Sequence, residues 1–296
     1  MVSSEELQQR LKWSLSQKID HSLYVIDSFI AQYPNSKIGF SGGIDSTVML
    51  KLVRLLDKNR TAVFSNTTNE FIEILKFVRE VDNVEIVRPE TTFIKIVKEF
   101  GFPLISKKVA RMIHDCKYPT SKNQDTVRLF LTGIKRDGSK TRSFKLPEKY
   151  KHLIDAPFDL TYKCCHLLKK KPMQKYLKDG FFIGTMATDS GTRKGGYLKT
   201  GCINLKDNKC MPLSIWTKED VWAFVKQNNL KYSDIYDKGE TNTGCAYCGF
   251  GCQFDKTRFD RLKAREPKRH DQIMSLTNNG VSYADAIKLA LNKPKK

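Results

Sequence analysis

The chain has 296 residues, 40% of them hydrophobic, and its 52 lysines and arginines exceed its 32 aspartates and glutamates to give a formal net charge of +20. That length can bury a large core, as one α/β domain or one domain with an appendage. No apolar run is long enough to cross a bilayer and Met1–Glu6 has no signal-peptide pattern, so a cytoplasmic chain with no membrane partner is expected. Eight cysteines in such a compartment point to metal or redox chemistry rather than to disulfides.

In chain order, Ser4 to about Tyr33 reads as helical. Ser4 is placed to cap it, and Leu7, Leu11, Trp13, Leu15 and Ile19 recur at helical spacing. A second helix from Asp20 turns Leu23, Ile26, Phe29 and Ile30 inward and ends before Pro34, closing an N-terminal helical segment, 1–34. The apolar run Lys37–Phe40 then leads into Ser41-Gly42-Gly43-Ile44-Asp45-Ser46, and Thr47–Leu56 follows with a continuous apolar helical face. Two glycines let backbone approach an anion, the helix start aims free N–H groups at it, and Ser41 and Ser46 add hydroxyl donors. No lysine stands where a Walker A loop places one.

Thr61–Ser65 reads as a second strand ending in the polar run Asn66–Glu70, Phe71–Val81 as a helix, Val84–Val87 as a third strand and Thr92–Phe100 as a helix. Strands alternating with helices imply a doubly wound parallel sheet, α/β in class, whose ligands bind at the carboxyl ends of the strands. That rule puts the Ser41 loop and Ser65–Glu70 on one rim, with Asn66, Thr67 or Glu70 available to a bound ligand. The segment 35–106 is thus an anion-binding half, and the resemblance given below implies that its ligand is a nucleotide.

From 107 to 157 the periodicity weakens and basic residues dominate. Lys107, Lys108, Arg111, Lys117, Lys122, Arg128, Lys135, Arg136, Lys140, Arg142, Lys145, Lys149 and Lys151 face only Asp115, Asp125, Asp137 and Glu148. Such a cluster is the electrostatic footprint of a polyanion, most often nucleic acid. The expectation is a basic insertion or lid with one apolar island, Arg128–Gly133. Regular α/β pattern resumes within 158–252, with a strand at Phe181–Gly184 and a helix opened by Thr217–Asp220. The part from 253 to 296 is basic and helical, with a capping pattern at Ser282–Asp285 and an expected frayed tail, Lys293–Lys296.

Cys164-Cys165 and Cys245-x-x-Cys248 are the second strong signal. A CxxC turn directs two thiolates at one metal but closes only half a site. Adjacent cysteines point apart, which suits a cluster whose separate irons each take a thiolate. A structural zinc on Cys245 and Cys248 with Cys252 and Cys210 is the alternative.

The SGGxDS loop resembles the PP-loop of the N-type ATP pyrophosphatases. Lys163–Pro172 with Gly244–Cys248 resembles the paired CC…CxxC signature of the sulfonucleotide (PAPS/APS) reductase family within that superfamily. Gly184–Arg193 is similar to that family's G-x-x-A-x-E-S-x-x-R segment, with Asp189 in place of Glu, and Pro212–Val221 to its PL-x-x-W helix entry. The resemblance implies a Rossmann-like, adenine nucleotide alpha hydrolase-like fold with a C-terminal helical segment beside the iron–sulfur ligands. It implies that Ser41, Gly42, Gly43, Asp45 and Ser46 bind ATP, or a preformed adenylyl sulfate, with Mg2+. Cys164, Cys165, Cys245 and Cys248 would ligate a [4Fe–4S] cluster next to the nucleotide, and Lys169 or Lys170 would neutralise the cluster or the substrate anion. Arg193, beside Asp189, would sit at the sulfate or α-phosphate, where its fork suits an oxyanion.

Sulfonucleotide reductases carry a nucleophilic cysteine near the C-terminus, whereas the last cysteine here is Cys252, four residues after the CxxC. Cys116, Cys202 and Cys210 are the remaining thiols. The pattern is also similar to DNA phosphorothioation enzymes and cluster-dependent tRNA thiolases, which activate a nucleic acid with ATP and need no such thiol. The first expectation is therefore ATP-dependent adenylation with sulfur transfer to a nucleic acid gripped by 107–151, served by a sulfur donor or a reductant protein. The alternatives are a reductase releasing sulfite, and a nucleotide-binding regulatory or defence protein with a structural cluster.

Overall fold

A computed structural model describes residues 1–292; the expected frayed tail, Lys293–Lys296, lies outside the described residues. The chain opens with α1 (Ser4–Leu11) and α2 (Leu15–Gln32). The break falls at residues 12–14, not at Asp20 as the spacing predicts, because Ser14 and Gln17 form a reciprocal capping box that starts a new helix there. Ser3, rather than Ser4, caps α1. The buried Lys18 ammonium stitches the joint by donating to the Leu11 carbonyl at 2.8 Å and pairing with Asp220 at 2.5 Å.

Next come β1 (Lys37–Gly39), α3 (Ile44–Leu56), β2 (Ala62–Ser65), α4 (Ile72–Glu80), β3 (Val84–Val87) and α5 (Phe93–Phe100), within a residue of the expected bounds except that α3 starts three residues earlier. Then follow β4 (Leu104–Ile105), α6 (Lys107–Lys117) and α7 (Gln124–Thr132). These two helices correct the expectation of weak periodicity. Val109, Met112 and Ile113 recur at i, i+3, i+4 and are buried, so Arg111 and the flanking Lys107, Lys108 and Lys117 mask an ordinary amphipathic pattern. The apolar island is the end of α7, stopped by Gly133 in a left-handed conformation. A π-helical turn spans His166–Lys170, followed by the single turn α8 (Lys171–Met173). Then come β5 (Phe181–Ile183), α9 (Gly191–Thr200), β6 (Ile203–Asn204), β7 (Lys209–Cys210), α10 (Lys218–Gln227) and β8 (Gly249–Phe250). The chain closes with α11 (Arg258–Arg265), α12 (Pro267–Met274), the ribbon β9 (Thr277–Asn278)–β10 (Val281–Ser282) and α13 (Tyr283–Leu291). Among the described residues no helix is long and apolar enough to cross a membrane.

The chain divides into two compact units. The first takes residues 1–66, 70–89 and 170–244 and holds the six-stranded sheet, in the order β3-β2-β1-β5-β7-β6. Every neighbour pair is parallel except β6–β7. This is the α/β, mostly parallel architecture expected. The order reverses between β1 and β5, so the loops leaving those strands open at the switch point where ligands bind. Ile38, Val48, Met49, Leu52, Phe64 and Phe182 form its fully buried heart.

The second unit takes residues 67–69, 90–169 and the chain from Cys245 onward. Leu104–Ile105 pairs in parallel with Gly249–Phe250, and Phe102 stacks on the buried Tyr283 ring at 4.9 Å. Gly249 is required there: a Cβ would lie 2.6 Å from both the Pro103 carbonyl oxygen and a Leu104 methyl. Ile105, buried, holds φ at +65°, a strained choice for a β-branched residue that costs on the order of 1–3 kcal/mol.

Candidate phosphate loop and cysteine cavity

In the first unit, the turn after β1 is built as the sequence suggests. Gly42 adopts φ +72°, which an L side chain disfavours, and Gly43 begins α3 without a side-chain cap. Ser46 donates to the Gly43 carbonyl at 2.8 Å and accepts from the Ser41 N–H at 3.1 Å, and the two serine hydroxyls lie 3.0 Å apart. The loop is therefore shaped before any anion arrives. Gly184, from the segment after β5, packs on it, its Cβ position 3.2 Å from the Asp45 carbonyl oxygen and the Ser46 backbone.

Three residues distant in sequence complete this loop, and sequence reasoning missed them. Lys218, at the start of α10, donates to both Asp45 carboxylate oxygens, at 2.7 and 2.5 Å. The Tyr236 hydroxyl accepts the Ile44 N–H at 2.7 Å, occupying a position an anion's oxygen would take at the helix start, and lies 3.0 Å from the Thr243 hydroxyl. Burial raises the Tyr236 phenol above its ordinary value, so it stays neutral there. A cation approaching Asp45 must displace Lys218, and a phosphate at the Ile44 N–H must displace Tyr236. Lys218 carried a signal, since it stands in the Pro212–Val221 helix entry; Tyr236 and Thr243 carried none.

Asp189 and Arg193 are also in this unit. The Asp189 carboxylate accepts the Met186 N–H at 3.0 Å and pairs with Arg193, whose side chain is 49% exposed. Asn66 extends the β2 ladder, its N–H donating to the Val87 carbonyl at 2.9 Å.

The second unit gathers all four predicted cysteine ligands. Cys164, Cys165, Cys245 and Cys248 line one small cavity with Asn69, Phe93, Pro103, Leu168 and Lys169. Asn69 clamps the CxxC turn: its carbonyl accepts the Ala246 N–H at 2.6 Å and its side-chain oxygen the Tyr247 N–H at 3.1 Å. The Arg258 guanidinium donates to the Cys245 carbonyl at 2.8 Å. Thr67, fully buried, has its hydroxyl 3.7 Å from the Cys245 sulfur, so it belongs to the cysteine wall, as does Lys169. Burial, then the neighbouring thiols, push Cys248 up to about 12 and Cys164 higher still. Thiols so placed ionise only with a cation to hold the thiolates.

A cluster fits these residues on two counts. The Asn69 side-chain nitrogen, on a residue 1% exposed, has no hydrogen-bond partner, which leaves a buried donor among four sulfurs. The second is the donor set itself, since four cysteine sulfurs lining one cavity are the ligands an iron–sulfur cluster takes. The alternative zinc set does not assemble within one unit: Cys210 lies on β7 of the first, and Cys252 is outside the cavity lining.

Comparison with known proteins gives consistent matches. The phosphoadenosine phosphosulfate reductase domain family matches residues 36–149 and 135–250. Adenosine 5′-phosphosulfate reductase of Oceanobacillus iheyensis is 37% identical over 93 residues, 29% of this chain and 37% of that protein. The same enzyme of Staphylococcus epidermidis is 31% identical over 93 residues, 29% and 36%. The matches thus span little more than a third of the length of these relatives. Among solved structures, phosphoadenylyl-sulfate reductase from Candida auris, a phosphate complex, is 15% identical with TM-score 0.43, covering 83% of this chain and 96% of that one. The U34-tRNA thiolase NcsA from Methanococcus maripaludis, with its [4Fe–4S] cluster, is 14% identical with TM-score 0.39, covering 96% and 91%. At those values neither likeness bears on function. The family match takes in well over half of the sequence, and the chain belongs to the phosphoadenosine phosphosulfate reductase domain family.

Proposed function

We propose that this chain binds ATP at the Ser41–Ser46 loop, adenylates a nucleic-acid acceptor with release of pyrophosphate, and serves sulfur transfer to that acceptor. An acceptor oxygen attacks the α-phosphorus, the bond to the β-phosphate breaks, and pyrophosphate departs with the electron pair; AMP is then the group that sulfur displaces. Ser41, Ser46 and the N–H groups of Gly43 and Ile44 would take the departing phosphates, and Lys218 the charge that develops on them. Arg193, held by Asp189, would address the α-phosphate oxygens. Mg2+ would accompany the nucleotide at Asp45 once Lys218 turns to the phosphates. Cys164, Cys165, Cys245 and Cys248 would hold a [4Fe–4S] cluster, which supplies a redox-active, sulfur-binding centre when present. A sulfur donor or reductant protein completes the reaction.

The observation that carries this reading is the partition of the thiols. Four line the cavity with an unsatisfied donor, and the other four are poor nucleophiles. Cys202, Cys210 and Cys252 are buried; burial raises Cys202 to about 11, Cys210 well above its usual value, and Cys252 and Cys116 too. A thiol that attacks sulfur needs the opposite shift. The names of the matched relatives favour a second reading, reduction of adenylyl sulfate to sulfite. The test is anaerobic protein with ATP and either RNA or DNA. Pyrophosphate release that depends on nucleic acid is expected; sulfite from adenylyl sulfate and thioredoxin, with no nucleic-acid dependence, selects the second reading.

A further inference from the structure

The second unit also holds a basic cavity of about 700 Å3 lined by Lys107, Lys108, Arg111, Tyr162, Lys163, His166 and Leu167. Its walls come from two segments. Lys107, Lys108 and Arg111 lie on the first turns of α6, and the rest flank Cys164-Cys165 in the chain. The turn is shared: residues 162, 163, 166 and 167 face this cavity, while 164, 165, 168 and 169 face the cysteine cavity. A group held here is therefore one backbone turn from Cys165.

We propose that this cavity binds a phosphodiester of single-stranded nucleic acid, with the adjoining base against Tyr162. The inference deepens the reading above and rests on it for the role of the strand as acceptor, not for its binding. Four permanent cations converge with no acidic side chain in the lining. Asp115, on the same helix, meets Arg111 at 3.4 Å while Arg111 is 60% exposed, a pairing too weak to neutralise the site. Lys108 leans over the Phe144 ring at 5.2 Å and donates to the Ser143 carbonyl, and Lys163 lies over the Phe100 ring at 4.1 Å. Both ammonium groups are thereby positioned, each over an aromatic face. Stability alone would place carboxylates, not Lys107 and Lys108, in the first turn of α6. The volume suits one nucleotide-sized ligand. A single strand can turn one nucleotide into such a hole and stack its base, whereas a rigid duplex presents only its outer phosphates.

The test uses the full chain without ATP and fluorescently labelled single-stranded RNA and DNA, with duplexes of the same sequence, over a range of salt. Replacing both Lys107 and Arg111 by alanine is expected to weaken single-strand binding about tenfold and to flatten the plot of log affinity against log salt by about 1.4, for two lost phosphate contacts. All the replaced side chains are exposed, and unchanged circular dichroism and iron content verify the fold. The paired control, Lys263→Ala with Lys268→Ala on α11 and α12, removes equal charge and is expected to leave the slope near that of the parent. Equal losses in both pairs, duplex bound as tightly as single strand, or displacement of the strand by equimolar adenosine 3′,5′-bisphosphate would each overturn the proposal. Asp45→Ala separates the two readings: it is expected to abolish pyrophosphate release while binding the strand normally. If the slope falls as stated but no nucleic-acid-dependent pyrophosphate release is found, the cavity assignment stands and the proposed reaction falls.

Discussion

Gly42→Ala and Gly43→Ala, one peptide apart, are expected to fail in different ways. At position 42 the backbone sits at φ +72°, and a Cβ would lie 2.8 Å from an Ile74 methyl and 2.9 Å from a Val78 methyl, both on buried side chains of α4. The left-handed conformation costs an alanine about 1–2 kcal/mol and overpacking about 1–3, so a loss of about 2–5 kcal/mol is expected. For a chain of this size that lowers the melting temperature by roughly 5–15 °C. At position 43 the backbone is extended, with φ −78° and ψ 158°, which alanine adopts freely. Its Cβ would meet the Thr243 hydroxyl at 2.5 Å, the Ser41 hydroxyl at 3.3 Å and the Tyr236 hydroxyl at 3.4 Å, all ends of side chains that can turn away. Gly43→Ala should therefore keep its melting temperature within a few degrees, a shift of less than about 1 kcal/mol. It should still lose nucleotide affinity, because the methyl group covers the N–H groups meant for phosphate. Thermal unfolding followed by circular dichroism, with calorimetric ATP titration of both variants, checks this. Equal melting temperatures for the two variants would refute the assignment of strain to Gly42, and unchanged ATP affinity in Gly43→Ala would remove the loop as the phosphate site.

Lys218→Met should barely change stability, because its ion pair with Asp45 is half-exposed and worth about 0–1 kcal/mol, yet should weaken ATP binding about tenfold by removing a charge-assisted contact. Calorimetry on the variant decides it, and equal affinity would mean that Lys218 only restrains Asp45. Asn69→Asp keeps the oxygen that holds the Tyr247 N–H and removes the unpartnered donor. The expected result is a lower cluster reduction potential in a spectroscopic redox titration and about 10–100-fold weaker iron retention, and no change in either would detach Asn69 from the cysteine site. Burial, and then the Arg10 cation, hold the His21 imidazole below its usual value of 6.5. The unfolded chain takes that proton first as pH falls, so stability declines as pH drops through about 6.5 toward the folded value. Urea midpoints measured between about pH 7 and 5 should fall less in His21→Gln than in the parent chain; parallel declines would assign the pH dependence to other groups.

The Ser41–Ser46 turn and the cysteine pairs were legible because each is a local device. A strand, two glycines and a helix start make an anion cradle out of contiguous backbone, and a CxxC turn presents two sulfurs without outside help. The N-terminal break was misread for a local reason as well, since the Ser14–Gln17 capping box outweighed a hydrophobic spacing that ran on through it. Likewise α6 and α7 escaped notice because each is short, and Lys107, Lys108, Arg111 and Lys117 surround the few buried apolar residues of α6.

Sequence by itself determined the fold class, the glycine turn at Ser41–Ser46 and which four thiols line one cavity, since these follow from short-range backbone geometry and residue chemistry. Only the tertiary structure decided what surrounds them. Lys218 reaches Asp45 across 173 positions of sequence, Tyr236 reaches Ile44 across 192, and Asn69 reaches the Tyr247 N–H across 178. Such partners leave no periodic or spacing signal. Their placement follows from the strand order β3-β2-β1-β5-β7-β6 in the first unit and from the pairing of β4 with β8 in the second, and both come from packing rather than from local sequence.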